Sequence, residues 1–488
     1  MTERELLDRV PRGVLIGGAW RSATGGGVFA IEDPATGEVL CEVADGQPQD
    51  GDAALVAADL AFESFRRTAP RERADVLRRA YELMTARVDE LALLMTLEMG
   101  KPLGESRAEV AYAAAFLRWY AEEAVRIDGR FSRNEAGVGR VLTMREPVGP
   151  CLFITPWNFP LAMGARKVGP ALAVGCTCVV KPAQQTPLSM LAFAAILEEA
   201  GLPAGVLNVV PTSNPGAITG PMLADPRLRK LSFTGSTAIG KRLIAESADQ
   251  VLRVSMELGG NAPFLVFEDA DVDAAVRGAL IAKMRNGGEA CTAANRFHVH
   301  ERVAAQFADA LAAGIAALPV GRGTEPGVRV GPLIDARQRD AVAELVDDAV
   351  CRGADLRCGG EALDRAGYFY APTVLADVPP ASRLLAEEIF GPVAPIATFA
   401  SDEEAVTVAN ASDYGLAAYV YTRDVDRAFR VVEGLDTGMV GLNQGLVSNA
   451  GAPFGGVKHS GFGREGGPEG LADYLETKYV AMNVGLAA

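Results

Sequence analysis

Short apolar segments of strand length alternate with longer segments of helical period along this chain, and no other feature narrows its fold as far. CLFI (151–154), TCVV (177–180), VLNVV (206–210), KLSF (230–233) and PFLVF (263–267) recur between helical stretches. This alternation predicts an α/β fold with parallel strands. A second alternation follows residue 290, with helical pattern near 302–316 and 336–352 and strand-like PIATF (395–399), AAYVY (417–421) and MVGL (439–442). Two α/β domains fit this best. Ahead of both, Leu77, Ala80, Met84, Val88, Leu91 and Met95 are spaced by threes and fours, which predicts one long amphipathic helix. Ser401, with Glu404 three residues on, reads as a capping box opening a helix. No repeat of 20 to 50 residues is visible, which excludes a solenoid or propeller.

Composition removes several function classes. With 488 residues, 49% hydrophobic and 22% charged, the chain is too long for one core and too apolar for bulk disorder. Asp and Glu number 62 against 47 Lys and Arg, so a nucleic acid would meet net repulsion and is not expected as a partner. Met1–Val10 offers no apolar signal core, and the longest uncharged run, Pro147–Ala165, holds four prolines, so no membrane span is expected. Seven cysteines without a CxxC pair suit a reducing compartment, and a cytoplasmic location is expected. The three histidines, His298, His300 and His459, lack metal-ligand spacing, so no metal is expected.

Four segments could carry chemistry. Cys291, in RNGGEACTAANR, follows two glycines and sits among small residues that would let a substrate reach its sulfur. A free cysteine is as readily a small buried hydrophobe. Glu257, before Gly259 and Gly260, could serve as a general base or simply end a strand. TPWNFP (155–160) follows a strand, where an Asn158 amide could donate to a developing oxyanion or belong to a rigid aromatic turn. Gly235–Lys241 spells GxxxxGK after a strand, a phosphate-binding geometry, but Arg242 stands where a P-loop needs Ser or Thr.

TPWNFP (155–160), KPA (181–183), FTGST (233–237), ELGG (257–260), GEAC (288–291), EEIFGPV (387–393) and PFGG (453–456) together resemble the NAD(P)-dependent aldehyde dehydrogenase superfamily. Order and spacing match over nearly the whole chain, including the 34-residue step from Glu257 to Cys291. The resemblance implies an aldehyde dehydrogenase-like fold with a Rossmann-like cofactor domain (1–124 and 148–258) and a second α/β catalytic domain (259–465). It also implies a small oligomerisation element (125–147 and 466–488), hence a homodimer or homotetramer. Cys291 would attack the aldehyde carbon, Asn158 and a backbone N–H at Cys291 would hold the oxyanion, and Glu257 would activate water. Trp157, Lys181, Gln184, Gly235, Ser236, Glu388, Phe390 and Lys167 would hold NAD or NADP. Lys167 is placed near the adenosine end. Gln184 stands where the family often has Glu; a neutral amide does not repel a 2′-phosphate, so NADP is expected to be accepted and favoured.

Arg166, Arg285 and Ser448 occupy positions that resemble the carboxylate-binding set of succinate-semialdehyde dehydrogenases. The expected substrate is therefore a short ω-carboxylated aldehyde, succinate semialdehyde first and glutarate semialdehyde second. Arginine suits a carboxylate through its bidentate fork, although either arginine could instead make an internal ion pair. Ala293 stands where some of these enzymes carry a second cysteine, so no disulfide switch beside Cys291 is expected. Glu289 replaces a common Gln, with an effect on Cys291 of open sign. The rival readings are a dehydrogenase of uncharged aliphatic aldehydes and, in a different class, a non-catalytic cofactor-binding protein. The second would be expected to lack one of Cys291, Glu257 and Asn158, all of which are present.

Overall fold

Every strand-length apolar segment read from the sequence forms a strand in the computed structural model, which describes residues 2–483. Met1 and residues 484–488, the end of the expected 466–488 segment, lie outside the described residues. The central strands Pro150–Ile154, Thr177–Lys181, Lys230–Thr234, Ala262–Val266 and Ala417–Tyr421 are buried at every position. That burial is why they read as unbroken apolar runs and not as alternating ones.

Two large sheets result. In the first, the parallel strands run in the spatial order Arg253–Glu257, Lys230–Thr234, Pro150–Ile154, Thr177–Lys181, Leu207–Val209, extended by the antiparallel strands Val14–Ile16 and Ala19–Arg21. Helices Pro70–Ala86, Leu103–Glu123, Ala162–Val174 and Leu188–Glu199 contribute to the core on one side. Helices Pro48–Phe65, Pro215–Leu223 and Thr237–Ser247 pack with the other. Ala262–Val266 lies in the second, seven-stranded sheet beside Ala294–His300 and Ala417–Tyr421, so the second alternation begins before residue 290. Gly461–Phe462 returns to pair with Arg253–Glu257 at the edge of the first sheet. Leu475–Met482, Arg140–Pro147 and Arg130–Arg133 form a separate three-stranded antiparallel sheet.

One helix departs from the sequence reading. The apolar stripe from Leu77 to Met95 is carried by two helices, Pro70–Ala86 and Val88–Met99, which break at Arg87 (φ −111°, ψ 25°). The break places Arg87 on Glu199, 2.7 Å away, and the stripe stays buried on either side of it, with Val88 at the break partly buried. Buried carboxylates then cap neighbouring helices. Glu98 accepts the Leu188 and Ser189 N–H groups, and Glu109 accepts those of Leu161 and Ala162. Ser401 caps Asp402–Asn410, while the Glu404 carboxylate reaches the Ala400 N–H and leaves only half of a capping box.

Candidate active site

The register of the first sheet brings the candidate residues to one edge. Ile154 faces Lys181, Phe233 faces Ile154 and Thr234 faces Glu257, so these strands end together. Strand order, not chain direction, reverses between the parallel strands Pro150–Ile154 and Lys230–Thr234, the crevice where open α/β sheets take ligands. A cleft of about 680 Å³ opens there, lined by Trp157, Asn158, Lys181, Gln184, Gly235 and Ser236, and across it by Cys291, Glu388 and Phe390.

The cleft's features fit a dinucleotide. Burial alone lowers the Lys181 ammonium to about 8, and no carboxylate answers it. Gln184 is exposed at the rim. Ser236 precedes the helix Thr237–Ser247, whose first N–H groups have no helical partners, and Thr234 Oγ1 is buried without a hydrogen-bond partner. A Cβ on Gly240 would lie 2.3 Å from Leu258 Cδ2, so glycine there lets this helix sit close to the sheet. Lys241 turns away to His459 Nε2 at 3.4 Å and does not line the cleft. Glu388 accepts the Gly260 N–H at 2.9 Å, and burial raises its carboxyl to about 7 against the pull of Lys283. Phe390 (φ +51°) meets the Trp157 ring edge-on at 5.3 Å.

Cys291 and Asn158 are tied to each other's loops. Asn286 (φ +54°) and Gly287 and Gly288 (φ +61° and +80°) fold the chain sharply before Cys291. A Cβ on Gly260 would meet the Cys291 carbonyl oxygen at 2.2 Å. Asn158 Nδ2 donates to the Glu289 carbonyl at 3.0 Å, leaving its second hydrogen uncommitted, while Oδ1 accepts the Phe159 N–H. Asn286 Nδ2 donates to the carbonyls of both Asn158 and Glu289. The Glu289 carboxylate faces the Ile334 N–H at 3.0 Å and is not among the groups that perturb Cys291. Burial pushes the Cys291 thiol up to about 12; Arg166 opposes this and Glu257 adds to it.

Behind Cys291 lies a buried charge cluster. Glu257 is 3% exposed, its Oε2 lacks a hydrogen-bond partner, and burial followed by the Glu465 carboxylate drives its carboxyl well above the usual range. Glu465 is ion-paired to both Arg166 and Lys167. Burial alone would raise it, but those two cations hold it far below its ordinary value. Lys167 therefore does not reach the adenosine end: its ammonium is enclosed between Glu465 at 2.5 Å and Ser232 at 2.8 Å and does not line the cleft. Arg166 makes the internal ion pair the sequence left open, yet its Nη2 remains buried and without a hydrogen-bond partner.

Beside Arg166 stands Tyr112, which the sequence reading missed. Its hydroxyl is buried, interacts with the Arg166 and Ser448 side chains without reaching full hydrogen-bond geometry, and feels the Arg285 charge. Arg285 reaches Thr292 Oγ1 at 3.3 Å and covers the Phe159 ring. Nothing in the segment around Tyr112 marks it, because its partners are 54 or more residues away in sequence. Glu465 was missed for the same reason. Among the described residues, no group of three or more His, Cys, Asp or Glu side chains is placed to hold a metal ion.

A family model described as "Aldehyde dehydrogenase family" matches residues 20–480. A succinate-semialdehyde dehydrogenase of Paenarthrobacter nicotinovorans is 59% identical over 444 residues, covering 91% of this chain and 99% of that relative. A glutarate-semialdehyde dehydrogenase of Pseudomonas aeruginosa is 49% identical over 467 residues, 96% of each chain. The crystal structure of succinate-semialdehyde dehydrogenase from Burkholderia pseudomallei superposes with a TM-score of 0.96 at 50% identity, covering 97% of this chain and 98% of that one.

Proposed function

This chain belongs to the aldehyde dehydrogenase family, NAD(P)-dependent oxidoreductases, and on that premise we propose that it oxidises succinate semialdehyde to succinate. Bound NADP or NAD supplies the acceptor for the hydride that leaves the substrate carbon. Cys291 releases its proton to solvent, the one proton of the overall balance, and attacks the aldehyde carbon, forming a tetrahedral adduct. The free hydrogen of Asn158 Nδ2 and the Cys291 backbone N–H hold the oxyanion. Loss of hydride leaves a thioester on Cys291. Glu257 takes a proton from water, the hydroxide attacks the thioester, and succinate leaves as the thiol is restored. The balance is aldehyde, water and oxidised cofactor to carboxylic acid, reduced cofactor and one proton. Lys181, Gln184, Gly235, Ser236, Trp157, Glu388 and Phe390 hold the cofactor, with NADP favoured because Gln184 carries no charge to repel a 2′-phosphate.

The observation that carries the substrate assignment is the convergence of Arg166, Arg285, Tyr112 and Ser448 at one buried spot beside Cys291, where Arg166 Nη2 is a donor without a hydrogen-bond partner. Buried donors are stable when an acceptor meets them, and a substrate carboxylate is such an acceptor within reach of Cys291. Arg285→Ala tests it: kcat/KM for succinate semialdehyde should fall roughly 10- to 100-fold, while butanal changes less than about threefold. Equal losses with both aldehydes would give Arg285 a structural role. A homodimer or homotetramer built through the three-stranded sheet, and a cytoplasmic location consistent with seven free cysteines, complete the proposal.

A further inference from the structure

We propose that Lys101 is a positioning residue for the Asn158 amide, a step that rests on Asn158 holding the oxyanion. The Lys101 side chain is 1% exposed and donates to the Asn158 carbonyl at 2.6 Å and to Glu109 at 2.5 Å, with its ammonium 4.2 Å above the Phe159 ring. The chain cannot slide at this point: a Cβ on Gly323 would sit 2.4 Å from the Lys101 carbonyl oxygen. The other Glu109 oxygen accepts the Leu161 and Ala162 N–H groups at 3.1 Å each. Segment 158–162 is thereby gripped at one end by Lys101, just ahead of the helix Leu103–Glu123, and at the other by Glu109 on that helix. One turn earlier on that helix, Glu105 accepts the Asn286 N–H and holds the loop that carries Cys291. The two grips meet at the Asn158 carbonyl, which receives both Lys101 Nζ and Asn286 Nδ2. With Oδ1 on the Phe159 N–H and one Nδ2 hydrogen on Glu289, rotation of the Asn158 peptide would carry the remaining hydrogen away from the substrate. A buried ion pair is a poor way to gain stability where an apolar side chain would fill the space, and no chemical step uses this ammonium.

The test is a double-mutant cycle on the full-length enzyme with saturating NADP. Asn158→Ala should lower kcat/KM roughly 100- to 1,000-fold. Lys101→Met should lower it roughly 10- to 100-fold, chiefly in kcat and equally for succinate semialdehyde and butanal. NADPH affinity, read by fluorescence, should stay within about twofold, since Lys101 does not line the cleft. In the Asn158→Ala background, Lys101→Met should cost less than about twofold more, because the group it positions is gone. Should Lys101→Met fold poorly, Lys101→Met with Glu109→Gln keeps an oxygen for Leu161 and Ala162 and serves in the same cycle. Losses that multiply in the double variant would overturn the proposal. An Asn158→Ala enzyme of nearly full activity would remove the oxyanion reading and the role of Lys101 with it.

Discussion

Tyr112 and Lys181 show how much one side chain is expected to decide. Removing only the Tyr112 hydroxyl, as in Tyr112→Phe, takes one donor from the carboxylate and leaves the ring against Phe116 at 4.8 Å. Its kcat/KM with succinate semialdehyde should fall roughly 10-fold, with butanal within about twofold; an equal fall with both would show that the hydroxyl shapes the fold instead. Lys181 sets a pH dependence. With its pKa lowered to about 8, the ammonium loses its proton as pH rises through that value, so cofactor affinity should weaken between pH 7 and 9. NADPH titrations across that range should show a rising Kd that Lys181→Met flattens; a Kd independent of pH would exclude the lysine from binding. Cys291 behaves in the opposite sense. Its thiol, held up at about 12, should be alkylated by iodoacetamide at a rate that climbs with pH beyond 9, with no plateau near neutrality.

Elements were legible wherever burial made them uniform. CLFI, TCVV, KLSF and AAYVY become strands covered on both faces, leaving no polar alternation to confuse the pattern, while PIATF and MVGL, partly exposed at Thr398 and Leu442, are still legible as short apolar runs. Motifs at strand ends located the cleft for the same reason: parallel strands in register deliver TPWNFP, Lys181, Gly235 and Glu257 to one edge. Long-range contacts were not legible. Lys167 joins Glu465 across 298 positions, and that pairing draws it into the interior, away from the cleft. The bend at Arg87 left no trace in spacing, since apolar periodicity survives a change of helix axis. GxxxxGK misled about Lys241 alone, because the helix it opens presents its N-terminus to the cleft and that lysine to His459. The glycine inside the motif carries the weight there: Gly240→Val would push the helix off Leu258. Cofactor Kd should rise at least 10-fold while the rest of the fold melts cooperatively, and an unchanged Kd would show that the helix N-terminus is not the phosphate site.

At the scale of the whole molecule, the segments around two large sheets line one cleft that includes the nucleophile, and a third, small sheet is separate from both. Phe131 and Tyr479, on opposite faces of that small sheet, are 64% and 62% exposed in the single chain, apolar side chains that a second copy would cover. Phe131→Asp with Tyr479→Asp should therefore sediment as a smaller species than the parent protein; an unchanged sedimentation coefficient would place the subunit contact elsewhere. Among the described residues, no helix is long and apolar enough to cross a membrane. What the enzyme turns over is decided by whether the buried donors around Arg166 meet a carboxylate. The direct measurement is kcat/KM for succinate semialdehyde beside butanal, a same-length aldehyde without the carboxylate, with NADP at saturation. A preference of roughly a hundredfold or more for succinate semialdehyde is expected; two substrates within about tenfold of each other would contradict the carboxylate site and make both arginines structural.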